Sequence, residues 1–183
     1  MKRFALLLIT ILAIGTAFAQ TTENFTITVT VNFIDFSLRT ADDAGAYGTW
    51  AIGNMNAGAT STMTGTAGGS HVLVKNESNV ALDFKAFSTS EPPPPCGFGF
   101  PTAWTAGSAA GTDVYLLEMG DGTLADPPAT WTVVDGGGLG DADLIYEAGE
   151  GENFRLYSRF TAPNIASDGC EHQITVFIVA TTP

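Results

Sequence analysis

An all-β fold, an antiparallel β-sandwich of about eight to ten strands, is what this sequence predicts. Three observations predict it. Several segments alternate apolar and polar residues with a period of two, as half-buried strands require. No segment sustains a 3.6-residue period over three turns. Gly and Pro, 21 and 9 of 183 residues, interrupt the chain at short intervals, while the segments between them are rich in Thr and Val, which favour strands.

The first strand spans 25–33, where Phe25, Ile27, Val29, Val31 and Phe33 alternate with Thr26, Thr28, Thr30 and Asn32. The apolar parity then changes to Phe36 and Leu38, which implies a bulge, or a crossing between sheets, near Ile34 and Asp35. Trp50 to Ile52 forms a short strand before the turn at Gly53 and Asn54. Val72 and Val74, the polar turn at 76–79, and then Val80, Leu82, Phe84 and Ala86 read as a hairpin. Segment 112–119 is a strand with Val114 and Leu116 turned inward and Tyr115 a further candidate for burial, and 130–134 is a short one. In 153–161, Phe154, Leu156 and Phe160 oppose Arg155, Tyr157 and Arg159. In 173–180, Ile174, Val176 and Ile178 lie on one side, with Phe177 and Val179 on the other. Long loops are expected over 88–110, where Pro92 to Pro95 form a stiff extended run, and over 121–140. The spacing suits immunoglobulin-like or jelly-roll topology and leaves the strand order open.

The N-terminus carries an export signal. Lys2 and Arg3 precede the apolar run 4–14, and Ala17-Phe18-Ala19 supplies the small residues of a cleavage site. The run is shorter than the ~20 residues a bilayer crossing needs. The expected organisation is a signal peptide over 1–19 and one sandwich domain over 20–183, secreted to the cell surface, the extracellular space or the periplasm, with no membrane insertion after cleavage. The net charge of −12 falls to −14 without the leader, five Lys and Arg against 19 Asp and Glu. So acidic a chain cannot neutralise phosphates, which argues against nucleic acid and anionic membrane surfaces as partners.

Two cysteines, Cys96 and Cys170, read as one disulfide in an exported protein. A zinc site would require more ligands than His172 beside Cys170. His71 and His172 are the only histidines, and neither sits near a nucleophile-elbow motif, so no catalytic residue and no enzyme activity is expected. None of the 19 carboxylates pairs off by spacing as a glycosidase would need. Calcium is the one cofactor the pattern admits. Asp135, Asp141, Asp143, Glu147, Glu150 and Glu152 crowd a Gly-rich stretch of the kind that supplies oxygen ligands. They lack EF-hand spacing, and a solvated acidic loop is the competing reading. Trp50, Trp104 and Trp131 would bind a glycan only if they shared a face; core packing is the commoner use of Trp in a sandwich. Asn24 and Asn76 begin N-glycosylation sequons.

Three stretches carry a resemblance: Trp50-Ala51-Ile52-Gly53 with Gly58-Ala59-Thr60, 72–84 with its V-x-V-x-N, polar turn, V-x-L-x-F pattern, and Gly149-Glu150-Gly151-Glu152-Asn153. Their layout resembles secreted immunoglobulin-like sandwich modules. It is also similar in organisation to the TasA/camelysin group of secreted fibre-forming proteins. The resemblance covers roughly 50–87 and the last third of the chain and transfers no functional residue. It implies a surface or fibre-forming structural protein, and the leading expectation is a non-enzymatic structural protein of the cell surface or extracellular matrix. The partner expected is a second copy, joined by strand addition into a homopolymer. Strand 25–33 is the segment to be donated, because almost nothing precedes it in the mature chain. The alternative is a binding module for a glycan or another surface protein.

Overall fold

The computed structural model describes residues 28, 31–64, 71–94, 96, 101–122, 128–137 and 143–183. The expected signal peptide lies outside them, as do residues 25–27, 29 and 30 of the expected first strand; the remaining residues of that segment, 28 and 31–33, are not in a strand, and Val31 and Phe33 are 73% and 55% exposed. Asn32–Pro183 forms one unit and is all-β. Its strands are β1 (Phe36–Arg39), β2 (Thr60–Thr62), β3 (Val72–Asn76), β4 (Leu82–Ser90), β5 (Thr105–Ala106), β6 (Val114–Gly122), β7 (Thr132–Val133), β8 (Asp143–Ala148), β9 (Asn153–Thr161) and β10 (Ile174–Thr181). They form two sheets. The larger runs β1-β3-β9-β6-β5, with β2 also on β9 and β7 also on β6; the smaller runs β10-β4-β8.

The core lies between the sheets and follows from strand alternation. Val72 and Val74 of β3, Leu117 and Met119 of β6 and Phe154, Leu156 and Phe160 of β9 are buried from the large sheet. Leu82, Phe84 and Ala86 of β4 and Ile145 and Ala148 of β8 meet them from the small one. Phe84 sits edge-on to both Phe36 and Phe154, at 5.4 and 5.1 Å between ring centres. At ~25 cal/mol per Å² of apolar surface removed from water, these side chains are the main term holding the sheets together.

Four further expectations are corrected. The hairpin expected over 72–86 is an arch: β3 lies in the large sheet and β4 in the small one. Both strands have an apolar face, and each buries it by facing the other across the core. Asn76 fixes this arch. Its Nδ2 donates to Val80 O (3.0 Å) and Gly149 O (2.8 Å), and its Oδ1 accepts from Ser78 N (3.0 Å). It thereby ties 77–81 to the second crossover, 149–152, where Gly151 (φ 65°) takes the left-handed conformation.

Strand β6 buries Tyr115, as expected, but turns the parity of Val114 and Leu116 away from the core. Tyr115, Leu117 and Met119 are buried, while Val114 and Leu116 are only partly so. Val114-Tyr115-Leu116-Leu117 is apolar on both parities, so alternation does not decide the face. The Tyr115 hydroxyl finds Ser88 Oγ at 2.8 Å, and its ring packs on Phe160 at 5.7 Å. Trp50 and Ile52 are not in a strand; they pack against the core from a loop. Half of the acidic stretch expected as a loop is strand β8. It contains a bulge opposite Phe84 and Lys85, so that neighbouring Ile145 and Tyr146 both pack toward the core.

Candidate functional site: the open edge of the small sheet

Strand β10 ends the small sheet. It pairs with β4 on one side, from Ile174 opposite Ser90 to Thr181 opposite Asp83. Among the described residues no strand lies on its other side. Its sequence, ITVFIVAT, has no charge, Pro or Gly. Charged residues and Pro usually blunt an edge strand, and this one, unpaired on that side among the described residues, presents a row of main-chain donors and acceptors. Alternation explains its two faces. Ile174, Ile178 and Ala180 pack against the core. Val176 shares their side, opposite buried Ser88, yet is 36% exposed. Phe177 on the outward side is 43% exposed and stacks on Phe87 at 4.7 Å. The core is thus incompletely covered at this edge.

The corner before β10 is closed covalently. Cys96 and Cys170 are joined as a disulfide, Cα atoms 5.5 Å apart, as the sequence predicted. His172 Nε2 lies 2.9 Å from Asp168 Oδ1, both side chains only 2% exposed, and the imidazole stacks on Trp104 at 3.8 Å. Asp168 also accepts from Cys170 N (3.0 Å) and Thr102 N (3.3 Å). The bond with His172, then these amides, holds its carboxyl below the usual range against the opposing effect of burial. Nδ1 of His172 has no partner among the described residues. With Trp104 and Asp168, His172 packs into the corner that the disulfide closes. His71 is 1% exposed and stacked on Tyr157 at 5.3 Å, and neither ring nitrogen has a hydrogen-bond partner among the described residues. Burial, and then Arg155, pushes its pKa down.

The described calcium candidates are spread from Asp135, just after β7, along β8 and the turn that follows it. Asp135 and Asp143 meet, Asp135 N donating to Asp143 Oδ2 at 3.0 Å. Glu147 stands on the outward face opposite Asp83, and Glu150 is exposed in the turn. Glu152 is engaged by Gly149 N (2.7 Å) and the Tyr146 hydroxyl (2.8 Å). Asp141 lies outside the described residues. Among the described residues no three acidic, His or Cys side chains gather as a metal-binding group. The three Trp residues have different partners: Trp50 packs on the core, Trp104 stacks on His172, and Trp131 lies under Arg159 at 4.7 Å. That guanidinium forks onto Glu118 at 2.7 and 2.6 Å. An open cleft of about 490 Å³ lies beside Trp104, between Ser88 to Ser90, Thr105 and Asp135.

Sequence reasoning found the apolar character of β10 but not its place at an edge, which depends on pairing between distant segments. No helix among the described residues is long and apolar enough to cross a membrane. No protein family, no curated protein and no solved structure matches this chain.

Proposed function

We propose that the mature chain is a non-enzymatic structural protein of the cell surface or extracellular matrix that assembles into fibres by strand addition. The observation that carries this reading is β10, an eight-residue edge without charge, Pro or Gly beside an incompletely covered core. An added strand would take up its free main-chain groups and cover Val176. The segment supplied would be 25–33 of the next copy, whose alternation offers Ile27, Val29 and Val31 to the uncovered side. Head-to-tail donation does not close on itself, so it yields a filament. The disulfide suits an oxidising, extracellular setting. Crossovers between the two sheets at 77–81 and 149–152 are compatible with an immunoglobulin-like or jelly-roll type of sandwich.

Electron microscopy of the mature protein tests this. Fibres are expected, and deleting residues 20–32 should abolish them. A synthetic peptide of that sequence should then raise the melting temperature of the truncated domain. A mature protein that stays monomeric at high concentration, with 25–33 protected from hydrogen exchange, would overturn the reading. The hydroxyl-lined cleft beside Trp104 favours a second reading, a glycan-binding module. Saturable shifts of Trp104 and Thr105 resonances on adding an oligosaccharide from a glycan array would support it.

A further inference from the structure

The outward face of the small sheet is organised in rows across its strands. Thr181, Asp83 and Glu147 form an acidic row; Val179, Lys85 and Leu144 form the next; Phe177 and Phe87 form the third. Beyond the acidic row, Ala81, Gly149 and Pro183 join Asp83 and Glu147 in lining a shallow hollow of about 280 Å³. Leu144 and Phe177 are each 43% exposed. Lys85 has no acidic partner among the described residues, whereas Lys75 is paired with Asp43, Arg39 with Asp43 and Arg159 with Glu118.

We propose that this face binds the same face of a second copy, side by side between neighbouring fibres. The inference rests on the fibre reading above and adds a lateral contact to it. The rows are self-complementary. A half-turn about an axis across the strands, between the rows of Asp83 and Lys85, lays Lys85 of each copy over Asp83 and Glu147 of the other. The same rotation brings Phe87 and Phe177 over the hollow at Ala81 and Pro183. Each unpaired cation thus meets a pair of carboxylates, and each aromatic pair meets a recess. This is the isologous arrangement of a two-fold interface. Three strands at ~4.8 Å and eight residues at ~3.4 Å make a face of roughly 400 Å². That is about half of the ~800 Å² per partner in a standard stable interface. Two free copies would therefore pair weakly, while copies aligned along fibres would pair many times at once. In a chain this acidic, long-range repulsion opposes association, so the lysine row decides whether fibres join.

The test is electron microscopy of fibres from the mature protein. Wild-type fibres are expected to lie in pairs or bundles, and K85E fibres to remain single at unchanged fibre length. D83K/E147K fibres should also remain single. Mixing the two preformed populations should restore bundles, because each face then meets its opposite. F87T, which empties the recess without altering charge, should give single fibres as well and covers the case in which K85E fails to fold. Single wild-type fibres, bundles of K85E fibres, or a mixture that stays single would overturn the lateral contact and leave strand addition standing. Absence of fibres under all conditions would overturn strand addition, and the lateral contact with it.

Discussion

Asn76 shows how one side chain can hold a fold of this kind. It is 2% exposed, and its amide makes three hydrogen bonds that link two crossovers. Asn76→Ala would leave two carbonyls and one N–H of these turns unpaired. The expected loss of stability is about 3 kcal/mol, read by urea denaturation. The same geometry bears on its sequon. A glycan on Nδ2 would displace donors already in use, so mass spectrometry of protein from a glycosylating host should find Asn76 unmodified. His71 supplies a pH dependence. Its folded pKa lies below the unfolded value of ~6.5. Its contribution is therefore fully present above that value and is lost as pH falls below it. Melting temperature should drop between pH 7 and 5, and His71→Phe should flatten that drop. Tyr146 acts at the other extreme. Burial, and then donation to Glu152, pushes its pKa up to about 12. Its contribution is complete below pH ~10 and is lost as pH rises toward 12. Tyr146→Phe should weaken the alkaline transition.

At the level of elements, what could be read in the sequence depended on how clearly one parity was apolar. β9 has Phe154, Leu156 and Phe160 against two arginines, and its bounds are those expected. Tyr157 on the opposite parity is nevertheless buried, because His71 covers it, a contact no local pattern announces. β8 was hidden because Asp143, Glu147 and the bulge break its alternation, so it read as part of an acidic loop. The arch at 77–81 has the composition of a hairpin turn; only the side on which the partner strand lies distinguishes the two. The disulfide was legible because two cysteines leave one pairing. Its closed loop spans 74 residues, for which chain entropy gives about 4 kcal/mol of stabilisation. Intact mass should rise by two hydrogens on reduction, and the urea midpoint should fall.

At the scale of the whole molecule, neighbours in the sheets are distant in sequence. β9 pairs with β2, β3 and β6, and β4 with β8 and β10. Such pairing requires large loops to close before contacts form, so refolding of the disulfide-intact protein should take milliseconds to seconds rather than microseconds. A stopped-flow fluorescence trace would check this. The candidate edge was invisible in the sequence for the same reason: β10 becomes an edge only once β4 has chosen β8 as its other neighbour.

The disulfide and the β4–β10 ladder together have a mechanical consequence. Cys170 precedes β10 by a few residues and Cys96 follows β4 by a few, and the ladder begins where these ends meet, at Ile174 and Ser90. The covalent bond therefore caps one end of the zipper. A load that draws β10 away from β4 can open the ladder one bond at a time only from Thr181, never from Ile174. Pulled from its capped end, the pair must bear tension through the sulfur bridge, and the last strand stays anchored. In single-molecule stretching, reductant should lengthen the chain released from that corner and lower the force at which β10 detaches.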